Sequence, residues 1–469
     1  MPEFHSEPYL HMAGLTHKSA LIAWGAFYFR VREREDAFKL VHDDDLKNLH
    51  PPRKESIGAR SAPYGDALVE VFDTDGTLAS AARTSATNHC WVHDLSPDTE
   101  YTYRVTVNRE VWAKGQRRDW VADGEKQGLL PGGEYQNRFR TLPAPTSPLV
   151  DSFTFAIIGD FGRGIKKPSS ETRRQREIAA ALETAVDKHQ VRLLLTTGDN
   201  IYAQKKFLGI PVGGTGDSDS DWFFSFYQPY RYIINRIPVY PCIGNHDTAE
   251  TEDQDDREQL FDNFYLAERI AADVAAGRAS IGPGLFYQFR CGADVEFLCL
   301  DTSKEDIFHK RLFLHPNHAA FLDGALRRTT GTAGPRWRIP FAHHPPFSAG
   351  PQHGNTKEMS AFLPKFKAAG IRAVFCGHEH NFQHSRADGI DYFVTGGAGE
   401  IRTQVPDKKD FVRANTVSWS PTCHFLLVSV DAGQMTVRAL GELKDGTPTD
   451  ILRKTPAGHE TADQIVIRA

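Results

Sequence analysis

Five short motifs bring together residue types that hold metal ions: Gly159-Asp160-Phe161-Gly162, Gly198-Asp199-Asn200-Ile201-Tyr202, Gly244-Asn245-His246-Asp247, His343-His344-Pro345-Pro346 and Gly377-His378-Glu379-His380. Each sits where an apolar run ends, and strand ends are where α/β proteins build their sites. In four of the five a glycine precedes the ligand type, which permits an abrupt turn out of a strand so that the next side chain projects into a crevice. Taken singly, a Gly-Asp is a turn and a His beside Pro is a packed or solvated side chain. Taken in this order they form one constellation of carboxylates, imidazoles, an amide and a phenol, which is a donor set for transition metals. No Ser or Cys stands in a motif with an adjacent base, so no side-chain nucleophile is implied.

The elements that must carry these residues are legible as apolar strands. Phe153 to Ile158 opens the series, Ser170 to His189 shows Ile178, Leu182, Ala185 and Val186 at helical spacing, and Arg192 to Thr196 returns as a strand, which makes a βαβ opening. Further strands are expected at Val239 to Ile243, Val295 to Leu300, Trp337 to Ala342, Ala373 to Cys376 and Tyr392 to Val394, with Phe425 to Val430 starting a closing set. Residues 1 to about 145 read differently. Ala20 to Val31 and Ala67 to Phe72 are strands, the latter running into an Asp75-Gly76 turn, and Tyr101-Thr-Tyr103-Arg-Val105 alternates as a half-buried strand does. The Leu95–Val105 stretch resembles the tyrosine corner of fibronectin type III sandwiches. Arg32 to Gly65 reads as a long polar insertion with local helix, and the proline-rich Thr141–Pro148 as a semi-rigid joint. The reading is therefore two domains: an all-β sandwich at 1–148, then an α/β domain of four-layer αββα type at 149–469.

Composition narrows the function classes. A formal charge of -5 supplies no basic field for a nucleic-acid backbone. No apolar run reaches the length of a membrane span, and the first residues lack a basic segment followed by an apolar block, so the expectation is a chain without a secretory signal, cytoplasmic in setting. The six cysteines lie in or beside apolar runs without CxxC spacing and read as buried thiols.

With those motifs in order, the chain resembles the calcineurin-type metallophosphoesterases, and Tyr202, three residues after Asp199, narrows the resemblance to purple acid phosphatases. Gln352-His353-Gly354 and Gly377-His-Glu-His380-Asn-Phe-Gln-His384 are similar to the small tartrate-resistant branch, the N-terminal sandwich to the larger plant branch, usually secreted, which leaves a periplasmic or secreted setting as the alternative. The resemblance implies two metal ions, one on Asp160, Asp199, Tyr202 and His380, the other on Asp199, Asn245, His343 and His378. Two carboxylates and a phenolate suit Fe(III); one carboxylate, an amide and two imidazoles suit Zn(II), Mn(II) or Fe(II). It also implies hydrolysis of small phosphate monoesters by a metal-bound hydroxide. His246 and His353 match positions where the family places substrate-binding and proton-donating histidines.

Asp247 and His384 are candidates for orienting metal-bound imidazoles. His344, next to a ligand along extended backbone, should point away. Asp217-Ser-Asp219-Ser-Asp221 lacks the glycine and glutamate of a calcium loop and reads as a solvated acidic loop, as does Glu250 to Asp256. Gly396-Gly397-Ala-Gly399 reads as a tight turn near the site. Two rival functions use the same residues differently: a phosphodiesterase on the same dinuclear site, and a non-catalytic binding protein in which the sandwich does the recognition.

Overall fold

The computed structural model describes residues 4–32, 37–40, 43–49, 58–113, 135–162, 170–202, 205–207, 210–212, 219–248, 254–275, 285–303, 318–327 and 334–469. Two β-sheets occupy the N-terminal region. In the first, Phe4–Leu15 pairs antiparallel with Ala20–Arg32, which also receives Ala37–Leu40 and His89–Val92. In the second, Leu78–Thr84, Ala67–Phe72, Glu100–Val107 and Glu110–Val111 follow one another, with Arg138–Arg140 added to Glu100–Val107. Along Glu100–Val107 buried and exposed residues alternate, the period-two pattern of a strand with one face in a core. The strand Ala37–Leu40 and the short helix Asp43–Asn48 fall inside the stretch expected to be a polar insertion; much of the remainder of that stretch lies outside the described residues.

Two larger sheets follow. One has seven strands and carries Val239–Tyr240, Leu194–Thr196 and Phe153–Ile158 in parallel, then Phe425–Val430 antiparallel. The other has nine, and its Val295–Cys299, Trp337–Phe341, Ala373–Cys376 and Ile390–Thr395 are parallel neighbours. Their facing sides share one core: Phe153, Phe155, Phe297, Phe341, Phe375 and Phe393 are all buried in it, and the rings of Phe155 and Phe297 meet edge to face with centroids 4.9 Å apart. Helix Ser170–Lys188 covers the outer face of the seven-stranded sheet through Ile178, Leu182 and Ala185, the predicted stripe. His318–Leu326 and Leu363–Ala369 cover the nine-stranded sheet through Leu322 and Phe366. Helices thus cover the outer faces of two packed sheets, the αββα order expected.

The proline-rich joint is held rather than loose. The Leu142 N–H donates to the Thr16 carbonyl (3.1 Å), Arg192 donates to the Thr141 carbonyl (2.5 Å), and the Leu149 N–H donates to Asp294 (2.8 Å). All six cysteines are free thiols, four of them buried. Among the described residues no helix is long and apolar enough to cross a membrane. Asp221 departs from the expected solvated loop: it is buried, within the helical turn Asp219–Trp222. Residues 217 and 218 lie outside the described residues, as do 250–253 of the second acidic run, whose last residues begin helix Gln254–Asn263.

Candidate metal centre

Parallel strands end at one edge of each sheet, and both edges supply the site. From the seven-stranded sheet, Phe153–Ile158 leads to Asp160, Leu194–Thr196 to Asp199 and Tyr202, and Val239–Tyr240 to Asn245 and His246. From the nine-stranded sheet, Trp337–Phe341 leads to His343 and Ala373–Cys376 to His378 and His380. Asp160, Asp199 and His378 themselves take left-handed backbone conformations, with φ of 55°, 51° and 73°. Gly159, Gly244 and Gly377, which open three of the motifs, serve close approach rather than the predicted turn. A Cβ on Gly244 would stand 2.2 Å from Asp199 Oδ1, so its absence is what makes room for that carboxylate. Of the four glycines that open the motifs, Gly198 alone, at φ 89°, has the left-handed conformation that its own type favours.

The side chains converge in two overlapping groups, both buried. In the first, His343 Nε2 lies 3.0 Å from Asn245 Oδ1, 3.1 Å from His378 Nδ1 and 3.4 Å from Asp199 Oδ1. His343 Nδ1 is 2.8 Å from the Thr197 carbonyl, which can only accept, so that nitrogen carries the proton and Nε2 turns a lone pair inward. In the second, His380 Nε2 lies 3.2 Å from the Tyr202 hydroxyl and 3.4 Å from Asp160 Oδ1. Ligand atoms of Asp160, Asp199 and His343 all fall within 4.8 Å of one another, which joins the groups.

The electrostatics ask for positive charge. Burial pushes the Asp199 carboxyl up to about 7 against the pull of His246, with the charge of Asp160 adding to the rise. For Asp160 burial also opposes ionisation, yet hydrogen bonding to His380 and the field of His343 hold it below the usual carboxylate range. His380 is raised to about 9: burial works against its charged form and is outweighed by Asp160 and Glu400, whose carboxylate is 3.4 Å from Nδ1. Inward lone pairs on nitrogen and oxygen beside two buried carboxylates repel one another; a cation among them reverses the sign, and the donor set fits one.

Residues 153–382 match the calcineurin-like phosphoesterase family. That segment is a calcineurin-like phosphoesterase domain. Tartrate-resistant acid phosphatase type 5 of Oryctolagus cuniculus is 25% identical over 266 residues, which is 53% of this chain and 73% of the relative. The Homo sapiens protein of the same name is 22% identical over 317 residues, 63% of this chain and 89% of the relative. Among solved structures, PhoD superposes with a TM-score of 0.59 at 13% identity, covering 98% of this chain and 93% of that one. Purple acid phosphatase PPD1 from yellow lupin (Lupinus luteus) seeds superposes with a TM-score of 0.55 at 13% identity, covering 100% and 75%. The structural likenesses extend the shared fold over the N-terminal β-rich region.

Around the phosphoesterase cluster the remaining predicted residues fall as follows. The His246 ring lies against Tyr202, centroids 4.4 Å apart, and the His353 ring against His378 at 4.0 Å; both are half-buried, unlike the buried ligand types beside them. Among the described residues Asp247 makes its hydrogen bonds to amide groups rather than to an imidazole. It accepts from the Gly244 N–H (2.7 Å), the Ile201 N–H (2.9 Å) and Asn200 (3.0 Å), and so ties two ligand loops together. His384 is spent inside the sheet, 2.6 Å from Asp391 and stacked on Phe393. His344 does not point away: its ring lies 4.4 Å from that of His378, and its Nδ1 is 3.1 Å from the Thr302 hydroxyl. The two adjacent rings His343 and His344 stand at 85° to each other, which lets both face the cluster.

Several contributors carried no signal of their own in the sequence. Glu400 flanks His380, the Thr197 carbonyl sets the tautomer of His343, and the buried Glu379 carboxylate accepts from the His353 N–H at 2.6 Å. The Gly396–Gly399 stretch packs closely against Asp160 and Phe161. A Cβ on Gly396 would meet Asp160 Oδ2 at 2.7 Å, so these glycines permit close packing. Elsewhere a cleft of about 390 Å³ is lined by Arg138, Arg140, Arg192 and Arg236, at the seam between the N-terminal sheets and the phosphoesterase domain and apart from the cluster.

Proposed function

We propose that this chain hydrolyses phosphate monoesters at a dinuclear metal centre. The observation that carries the proposal is the convergence of Asp199, Asn245, His343 and His378 beside Asp160, Tyr202 and His380, with two half-buried histidines at the rim. Asp160, Asp199, Tyr202 and His380 would hold the harder ion, Fe(III), and Asp199, Asn245, His343 and His378 a divalent one, Zn(II), Mn(II) or Fe(II), with Asp199 shared. Such ions supply charge to the phosphoryl oxygens and acidify a water.

The chain's own residues do the rest. His343, fixed by Thr197, offers one nitrogen and cannot tumble. His246 donates its backbone N–H to Asp199 Oδ1 (3.0 Å), so its half-buried ring is anchored where an incoming phosphate can meet it. His353 stands on the other side, against His378. As the ester P–O bond breaks, the electron pair stays on the leaving oxygen and a ring N–H of His353 supplies the proton that oxygen needs. The phenol of Tyr202 and the rim position of His353 favour the monoester reading over the diester.

The N-terminal 1–148 is read as a fibronectin type III-like sandwich and 149–469 as the catalytic domain. Supporting this, the Ser96 N–H donates to the Tyr101 hydroxyl at 2.8 Å, the bond of a tyrosine corner. Tyr103 donates to the Asn235 carbonyl at 2.7 Å, tying the sandwich to the catalytic domain as a support.

The test is release of phosphate or phenolate from an aryl phosphate monoester and the matching diester across pH, using protein loaded with iron plus zinc or manganese. Faster monoester turnover at mildly acidic pH is the expected result. Faster diester turnover would replace it with a phosphodiesterase, and no turnover of either by the loaded protein would overturn the reading.

A further inference from the structure

Glu379, Asn381 and Gln383 are every second residue along the segment that runs from the His378–His380 turn into strand Phe382–Ala387, and all three side chains are fully buried. Each reaches the backbone of the same loop, 348–354. Glu379 Oε2 accepts from the His353 N–H at 2.6 Å. Asn381 Nδ2 donates to the Gly350 carbonyl at 3.1 Å. Gln383 accepts from the Ala349 N–H at 2.7 Å and donates to the Gly350 carbonyl at 3.2 Å. The three are also linked laterally, Gln383 Nε2 donating to Asn381 Oδ1 at 2.8 Å and Asn381 Nδ2 lying 3.4 Å from Glu379 Oε1. The loop closes on itself through the Ser348 hydroxyl, which donates to the His353 carbonyl at 2.6 Å.

Three fully buried polar side chains are costly unless their hydrogen bonds are made, and here they are made to a loop that carries one half-buried histidine. Of regular structure that loop has only the single antiparallel bridge between Ala349 and Gly354; the ladder fixes its start, at Ala349 and Gly350, and its end, at His353, to the ligand turn. Because Glu379 sits between His378 and His380, the ladder is continuous with the ligand turn, and the His353 ring comes to rest 4.0 Å from that of His378.

We propose that Glu379, Asn381 and Gln383 are positioning residues that hold His353 in register with the metal ligands, and that they govern protonation of the leaving group without touching the substrate. This rests on the functional reading above. A strongly basic alkoxide needs the proton as it departs, whereas a weakly basic 4-nitrophenolate leaves without it, so a displaced His353 slows one class of ester and spares the other.

The experiment compares Glu379→Ala, Gln383→Ala, Glu379→Gln, His353→Ala and the double variant Glu379→Ala/His353→Ala, as full-length metal-loaded protein, on an alkyl phosphate and on 4-nitrophenyl phosphate, with metal content measured for each. The expected result is a fall in kcat of about 10- to 100-fold on the alkyl ester and less than about threefold on the nitrophenyl ester for both alanine variants. Glu379→Gln, which keeps an acceptor for the His353 N–H, restores most of the loss, and Glu379→Ala adds nothing to His353→Ala. Equal losses on both esters, or additive losses in the double variant, would overturn the proposal. If the wild type hydrolyses neither ester the functional reading fails, and the ladder is then judged by amide exchange. Glu379→Ala should speed exchange at His353 by about tenfold or more; unchanged exchange would overturn it.

Discussion

His11 lies in the second half of strand Phe4–Leu15, fully buried, with its ring edge-on to Phe226, Tyr227 and Tyr265 at centroid distances of 5.9, 6.2 and 5.7 Å. Among the described residues neither ring nitrogen has a hydrogen-bond partner. Burial, with Arg269 adding its repulsion, lowers its pKa from 6.5 to about 3, so the folded protein holds it neutral. The folded pKa lies below the unfolded one, so only the unfolded chain takes up the proton as pH falls below 6.5, and stability is lost from there down to about 3. At pH 5 this amounts to about 2 kcal/mol, and the full span to about 5 kcal/mol. Replacing the imidazole with an apolar group of similar size, His11→Leu, removes the titration at a packing cost of roughly 1 kcal/mol that does not depend on pH. Urea unfolding of both proteins at pH 7.5 and pH 5 should therefore show the wild type losing about 2 kcal/mol more than the variant on acidification. His89 and His424, lowered by burial to about 4, titrate alike in both and cancel in the difference. Parallel pH dependences in the two proteins would refute the reasoning.

Other perturbations test the site. Asp247→Asn places an NH₂ group against N–H donors and should cost about 3 kcal/mol, lowering Tm by about 5 °C; an unchanged Tm and metal content would show that the carboxylate is not what ties the loops. Gly244→Ala should keep the circular dichroism of the sheets while metal affinity drops about 10- to 100-fold, because its methyl would displace the Asp199 carboxylate; full retention of metal in equilibrium dialysis would contradict this. In iron-loaded protein, Tyr202→Phe should abolish the visible absorption of a phenolate bound to iron while leaving the fold intact, and an unaltered spectrum would remove Tyr202 from the donor set.

The strands were readable because each is a short apolar run with a polar, turn-forming end, and burial on both faces leaves little else for Phe153–Ile158 or Ala373–Cys376 to be. The helix Ser170–Lys188 was readable from its stripe. Asp160, Asp199, Asn245, His343, His378 and His380 were legible as candidates for the same reason: each follows a parallel strand closely, and parallel strands end together. What could not be read depends on where distant segments return. Glu400 serves His380 only because the chain from Ile390–Thr395 turns back through Gly396–Gly399, and local sequence carries no sign of that. Residue type marks Asp247 and His384 as orienters of imidazoles, but tertiary context gives one to loop amides and the other to Asp391. His344 was placed by the alternation of extended backbone, which fails beyond Phe341, where the strand has ended and adjacent rings stand at a right angle.

Asp160, Asp199, Tyr202 and Asn245 follow strands of one sheet, His343, His378 and His380 strands of the other, and each proposed four-residue set would draw from both. Ions held there would act as rivets through the seam of a two-leaved book, at the edge where the leaves would first part. The phenylalanine core resists separation of the leaves but offers little against their sliding, since apolar contact has no direction. Coordination does have direction, so metal loading should stiffen this edge against shear and against proteases probing the strand ends, even before any substrate is met.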